Sequence, residues 1–202
     1  MHWRADTTKF HPKFQAIAIP IVSLYDHLKY HYHVIGRENI PEGGCVVIAN
    51  HTQWADPVLV ATAMGNKYPI VAMAKKELFA IKPLAPLISA LGAFPVDRGT
   101  ADIGAIKTAL KSVKEGKKLL IFPEGTTKHK EGDAVKEGAA MIAARTGAPV
   151  LPIYISENKK FRSKVYVVIG EPFQPEKVRS KESYGRLAED MMKRVYGLKE
   201  RI

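Results

Sequence analysis

Cys45-Val46-Val47-Ile48-Ala49-Asn50-His51-Thr52-Gln53-Trp54-Ala55-Asp56-Pro57 is an apolar run that passes into a polar one. Residues 45–49 are apolar throughout and follow Gly43-Gly44, a pattern that predicts a strand buried on both faces. From Pro57 onward, Val58-Leu59-Val60-Ala61-Thr62-Ala63-Met64 predicts a helix, with proline in the first turn, where its missing N–H would have no partner anyway. His51 therefore sits in the turn that leaves a strand, and Asp56 at the mouth of a helix. On a continuous helix, residues five apart point about 140° away from each other. His51 and Asp56 can meet only across non-helical chain, which a strand–loop–helix junction supplies.

Two readings of this pair are open. In one, Asp56 caps the helix and His51 is an ordinary loop histidine. In the other, the carboxylate holds one imidazole nitrogen, fixes the tautomer and leaves the second nitrogen free to take a proton.

The 202 residues suffice for one substantial core, and 46% hydrophobic with 25% charged residues is a globular composition. No repeat or Gly/Ser linker divides the chain. Its single cysteine, Cys45, excludes an internal disulfide and a cysteine-based metal site, and points to a cytoplasmic location. A net charge of +11 calls for an acidic partner without choosing among nucleic acid, anionic lipid and a phosphorylated small molecule. The apolar stretch Ala16–Leu24 is about half the ~20 residues needed to span a bilayer, and no cleavage site of the secretory kind follows it.

Residues 1–30 are expected to form an N-terminal helical segment. Phe10, Phe14, Ile17, Ile21, Leu24 and Leu28 recur at helical spacing and mark one face. That face either covers the core or dips into a membrane surface, with Trp3, Lys9, His11 and Lys13 among the headgroups. Pro20 predicts a kink or a break. Further strands are expected at Tyr32–Ile35, Ile70–Ala74, Gly92–Val96, Lys118–Phe122, Val150–Ile155 and Lys164–Ile169. Helices are expected over Leu78–Leu91, in pieces because of Pro83 and Pro86, over Thr100–Glu115 with Thr100 as cap, over about Val135–Thr146 and over Ser180–Gly197. This alternation predicts an α/β fold, with residues 31–202 forming one domain around a largely parallel central sheet flanked by helices. Ligands in such folds bind beyond the carboxyl ends of the strands. The polar clusters all fall there: His51 with Asp56, Lys75 with Lys76, Arg98, and Glu124-Gly125-Thr126-Thr127-Lys128.

A base, an orienting carboxylate and several cations suit removal of a proton from a hydroxyl while an anionic group is held in place. Arg98 and Lys128 are the natural phosphate ligands, with an ion pair to Asp97 or Glu124 as the alternative for Arg98. Glu124 either touches substrate or accepts N–H groups of its loop. The basic runs at Lys114, Lys117 and Lys118, and at Lys159, Lys160, Arg162 and Lys164, are expected on solvated faces. His31 and His33 share a strand face without a carboxylate partner, so no metal site is expected. Neither type of Gly-rich nucleotide loop is present.

Together these blocks resemble the glycerolipid acyltransferase family, and within it the 1-acylglycerol-3-phosphate acyltransferases. Asn50-His51-Thr52-Gln53-Trp54-Ala55-Asp56-Pro57 is similar to the family's His-four residues-Asp block. Gly92-Ala93-Phe94-Pro95-Val96-Asp97-Arg98, Phe122-Pro123-Glu124-Gly125-Thr126-Thr127 and Val150-Leu151-Pro152-Ile153 are similar to the blocks that follow it. Ala74-Lys75-Lys76-Glu77-Leu78 and Lys136-Glu137-Gly138-Ala139 resemble the segments between them, and the likeness runs from about Val34 to Gly170. The resemblance implies acyl transfer from a thioester of coenzyme A or acyl carrier protein to the free hydroxyl of a lyso-glycerolipid, 1-acylglycerol-3-phosphate giving phosphatidate, with no stored cofactor. His51 would be general base and Asp56 its orienter, with Lys75, Arg98 and residues Glu124, Gly125, Thr126, Thr127 and Lys128 around the acceptor. The partners implied are a lyso-phospholipid, an acyl thioester and an anionic membrane, with the protein peripheral at the cytoplasmic face. Thr127 stands where the family carries Arg. Either Lys128 compensates, or the acceptor is not a glycerol phosphate but a lyso-lipid with a different head group; glycerol 3-phosphate is a separate alternative acceptor. The competing reading is a non-catalytic basic module on membrane or nucleic acid. That reading explains the charge but not the His51/Asp56 junction, and no aromatic-basic RNA-binding pattern supports nucleic acid.

Overall fold

Residues 45–49 form the strand that their composition predicts, and the rest of the sheet is built outward from it. The computed structural model describes residues 9–97, 102–128 and 135–202. Its strands are β1 (His31–Ile35), β2 (Cys45–Ala49), β3 (Ile70–Lys75), β4 (Ala93–Val96), β5 (Lys118–Ile121), β6 (Val150–Ile155) and β7 (Lys164–Ile169). They form one sheet in the order β1-β7-β6-β2-β5-β3-β4, with β2 near its centre. Strands β2 to β6 pair in parallel, whereas β7 runs antiparallel to β6 and carries β1 parallel to itself. The helices are α1 (Pro12–Lys29), α2 (Asp56–Met64), α3 (Leu84–Ala90), α4 (Ile103–Lys114), α5 (Gly138–Thr146) and α6 (Lys181–Gly197).

Successive strand residues point to opposite faces, and the core divides accordingly. Val46, Ile48, Leu119 and Ile121 pack on one side with Ala105 and Ala109 of α4, Ile142 of α5 and Leu187, Met191 and Val195 of α6. Cys45, Val47, Leu120 and Leu151 pack on the other with Leu59, Val60 and Ala63 of α2. The expected cap Thr100 lies outside the described residues. Asp102 caps α4, its carboxylate accepting the Ala105 N–H at 2.9 Å.

At α1 the structure removes the expected break, moves Phe10 off the helix and leaves one of the two readings of the apolar face. The helix runs unbroken through Pro20. Proline removes the donor that the Ala16 carbonyl would use, and the Asn66 amide reaches that carbonyl instead, at 3.4 Å. Phe10 lies ahead of the helix and is buried in the core. The remaining apolar face does not cover the core. Phe14, Ile17, Ile21, Leu24 and Leu28 are all exposed, Leu28 by 73%. The opposite side packs inward through Gln15, Ile19 and Asp26. Gln15 holds β3 by side-chain hydrogen bonds to the Ile70 carbonyl (2.7 Å) and N–H (3.1 Å). Asp26 accepts from the Thr62 hydroxyl on α2 at 3.0 Å. These bonds satisfy buried polar groups that would otherwise cost about 1–3 kcal/mol each. Among the described residues, no helix is long and apolar enough to cross a membrane.

The lysine runs are also corrected in part. Lys118 is buried, its ammonium donating to the Pro41 and Gly43 carbonyls and lying over the Tyr68 ring. Lys114, Lys160, Arg162 and Lys164 are exposed, as expected.

Candidate active site

Helix α2 begins at Asp56, and Ala55, not Asp56, holds the cap position. The Asp56 carboxylate instead turns back into the loop. Its Oδ2 accepts the N–H groups of Thr52 (2.6 Å) and Gln53 (2.7 Å) and faces His51 Nδ1 at 3.1 Å. The loop that leaves β2 is thus wound around a carboxylate supplied by the helix after it. Asp56 has no exposed side-chain surface, and His51 has 14%. Burial works to raise the Asp56 carboxyl, but the His51 hydrogen bond, the Lys159 charge and the Gln53 N–H outweigh it and hold the group below its ordinary value. With Nδ1 on the carboxylate, Nε2 is the nitrogen left to exchange a proton.

His51 is fixed from two further directions. Its ring stacks on Phe122 with centroids 4.2 Å apart, and its main-chain N–H donates to Glu124 Oε2 at 2.7 Å. The Tyr196 hydroxyl of α6 donates to the other Glu124 oxygen. Neither sequence reading of Glu124 names this partner: the N–H it accepts belongs to His51 in the loop after β2, not to its own loop.

The sequence reading missed Lys159. Expected on a solvated face, it is buried in the turn between β6 and β7, 2.7 Å from Asp56 Oδ1, and it donates to the Thr52 hydroxyl. The loop carrying it is tied to β2 by Asn50. That side chain completes the β2–β6 pairing, donating to the Ile155 carbonyl at 2.9 Å and accepting the Ile155 N–H at 2.8 Å. The signal that bears on this is Asn50 itself, an amide placed at the end of an apolar strand.

The other expected site residues gather less tightly. Lys75 ends β3, and its ammonium lies 3.9 Å from Glu77. Lys76 pairs with Asp97 at the end of β4. Arg98 lies outside the described residues. Gly125 adopts a positive φ of 68°, and a Cβ there would lie 2.8 Å from Lys136 Cε. Glycine is the residue that accepts both constraints. Thr126 and Lys128 are exposed, Thr127 is half-buried, and the Lys128 N–H donates to the Thr126 hydroxyl at 3.3 Å. Among the described residues no cluster suits a metal ion.

Two cavities flank this junction, on opposite faces of the sheet. The first, of about 190 Å³, is lined almost wholly by apolar groups, among them Ile19 and Val22 of α1, Pro57 and Ala61 of α2, and Ala72 and Leu120 of the sheet. Its Pro57 wall directly follows Asp56 in the chain. The second, of about 340 Å³, is lined by the next strand residues, Met73 and Ile121, together with Phe122, Gly125, Asp97 and Lys136. Phe122 belongs both to this wall and to the His51 stack. His51 and Asp56 line neither cavity; their neighbours Pro57 and Phe122 bring one cavity to each side of the junction.

Comparison with known proteins bears on what the arrangement does. A family model described as Acyltransferase matches residues 31–156. A 1-acyl-sn-glycerol-3-phosphate acyltransferase of Bacillus subtilis is 33% identical over 200 residues, covering 94% of this chain and 98% of its own. A lyso-ornithine lipid O-acyltransferase of Pseudomonas aeruginosa is 35% identical over 115 residues, covering 55% of this chain and 43% of its own. This chain spans about half the length of several other curated relatives it matches. The crystal structure of the 1-acyl-sn-glycerophosphate acyltransferase PlsC from Thermotoga maritima superposes with a TM-score of 0.69 at 27% identity, covering 94% of this chain and 78% of that one.

Proposed function

The chain belongs to the acyltransferase family, and on that premise we propose that it moves an acyl group from a thioester to the free hydroxyl of a lyso-glycerolipid, 1-acylglycerol-3-phosphate first among them. The observation that carries this reading is the His51–Asp56 contact at the end of β2, with an apolar and a mixed polar cavity beside it. His51 Nε2 takes the proton of the acceptor hydroxyl as that oxygen attacks the thioester carbonyl. When the tetrahedral intermediate collapses, the C–S bond breaks and the imidazolium returns the proton to the leaving thiolate. Asp56 holds the imidazole tautomer and offsets its transient charge. Glu124 fixes the His51 backbone. The thioester of coenzyme A or acyl carrier protein brings an activated acyl group, so the step calls for no stored cofactor.

The apolar cavity suits the donor's acyl chain. The polar cavity, lined by Gly125 and Lys136, suits the acceptor headgroup, and Thr126, Thr127, Lys128, Lys75 and Arg98 are the further phosphate ligands of this reading. Thr127 adds a second acceptor class, lyso-lipids with another head group, and the partial similarity to a lyso-ornithine lipid acyltransferase supports it as the alternative. The acceptor lives in a bilayer. The exposed strip of α1, together with the exposed Trp54 of the His51–Asp56 loop and Val58 at the start of α2, would seat the protein at an anionic membrane, as a peripheral protein of the cytoplasmic face.

Thiol release from long-chain acyl thioesters of both carriers, measured against a panel of lyso-lipid acceptors, tests the reading. His51→Ala is expected to lower turnover about 10²–10⁴-fold with an unchanged circular dichroism spectrum. A fully active His51→Ala protein, or salt-sensitive nucleic-acid binding without thiol release, overturns it.

A further inference from the structure

Lys159 lines neither cavity and has no exposed side-chain surface, so it does not meet substrate in this arrangement. Burying an ammonium is costly unless a specific partner repays it. Here the partner is the carboxylate that orients the base. Asp56 Oδ2 is occupied by three donors, from Thr52, Gln53 and His51. Its other oxygen, Oδ1, faces the Lys159 ammonium at 2.7 Å.

We propose that Lys159 is a positioning residue for acyl transfer: seated on Asp56 Oδ1, it fixes the rotation of the carboxylate that presents Oδ2 to His51, and its charge opposes premature protonation of the imidazole. This rests on the reading of His51 as general base. The geometry supports both parts. Lys159 also donates to the Thr52 hydroxyl, so one ammonium ties the β6–β7 turn to the catalytic loop as well as to the start of α2. The Asn50–Ile155 pair brings that turn to the end of β2.

The charge argument follows from what surrounds His51 among the described residues. Asp56 approaches from α2, Glu124 from the end of β5 through the His51 N–H, with Tyr196 of α6 behind it, and Lys159 from the β6–β7 turn. Phe122 covers one ring face. The Asp56 carboxylate, with the Lys159 ammonium behind it, thus stands on the Nδ1 side of the imidazole, while Glu124 meets the His51 main chain. Without the ammonium, the Asp56 charge beside the ring is unopposed and favours the charged imidazole, which cannot act as a base. Lys159 offsets part of the Asp56 charge beside the ring while helping to keep Asp56 ionised.

The test is the pH dependence of kcat/KM with palmitoyl thioesters of coenzyme A and acyl carrier protein and 1-palmitoyl-glycerol-3-phosphate. Lys159→Met is expected to lower kcat by up to about a hundredfold with both KM values little changed, and to move the acidic limb up by about one pH unit. Lys159→Arg, which keeps the charge, should return the limb toward its wild-type position. Lys159→Gln keeps a donor for Asp56 Oδ1 without the charge, and the same shift is expected of it if the methionine protein does not fold. An acidic limb that stays in place when the charge is removed overturns the proposal, as does failure of both uncharged variants to fold, which makes Lys159 purely structural. A wild-type profile with no acidic limb, or an active His51→Ala protein, marks instead the failure of the general-base reading.

Discussion

Glu124 Oε2 accepts the main-chain N–H of His51 at 2.7 Å, joining the ends of two neighbouring strands across 73 residues of chain. The bond is charge-assisted, and the Tyr196 hydroxyl holds the second carboxylate oxygen. Such a bond contributes about 1.5–3 kcal/mol. Glu124→Ala should therefore lower kcat roughly tenfold to a hundredfold while the acceptor KM changes little, and Glu124→Gln, which still offers the N–H an acceptor, should lose less. Steady-state kinetics on both variants decide this. A dominant rise in acceptor KM would instead make Glu124 a substrate ligand.

The polar cavity is expected to hold the acceptor phosphate through Lys136, whose side chain packs where a Gly125 Cβ would be. Lys136→Met should raise the acceptor KM about tenfold or more and leave that of the thioester nearly unchanged. Initial rates with each substrate varied in turn measure the difference, and equal effects on both would place Lys136 outside the acceptor site.

Ile17 and Ile21 are each 65% exposed on the apolar strip of α1. Replacing both by Asp should abolish co-sedimentation with vesicles rich in phosphatidylglycerol and leave the thermal transition in place, because neither residue packs in the core. Salt should weaken wild-type binding without eliminating it, since screening reduces only the basic contribution of about 1 kcal/mol per Lys or Arg. A double variant that still sediments would leave α1 without a membrane role.

Burial pushes the Asp26 carboxyl up, against the Thr62 hydrogen bond and the nearby charges of His27 and Lys29, which pull it down. A raised carboxyl binds its proton more tightly in the folded state than in the unfolded one. Its contribution to stability is thus fully present below the unfolded value and is lost as pH rises through the folded value. Asp26→Asn should accordingly raise Tm at pH 8, with the gain disappearing toward pH 4. Thermal scans at the two pH values read this directly, and an Asn protein that is less stable at pH 8 would show that the Thr62 contact outweighs the cost of burial.

The sequence by itself determined the α/β class and the strand positions, and it made the meeting of His51 with Asp56 possible. These rest on local physics. An apolar run bounded by glycines has few alternatives to a buried strand, and a strand–loop–helix junction lets a His and an Asp five residues apart approach. That Asp56 turns back to His51 and does not cap its helix was decided by the folded loop. Tertiary structure decided which lysines are buried. Lys118 and Lys159 sit in basic runs indistinguishable from the exposed Lys114 and Lys160, and what sets them apart lies far along the chain: the Pro41 and Gly43 carbonyls for one, Asp56 and Thr52 for the other. It also decided which side of α1 faces inward. Periodicity marks an apolar strip but does not say what covers it, and the hydrogen bonds of Gln15 and Asp26 to β3 and α2 turn the opposite, more polar side toward the protein. The antiparallel turn of β7 against β6 was likewise beyond local pattern. Strand direction depends on partners along the sheet, whereas the apolar run that makes a strand reads the same either way.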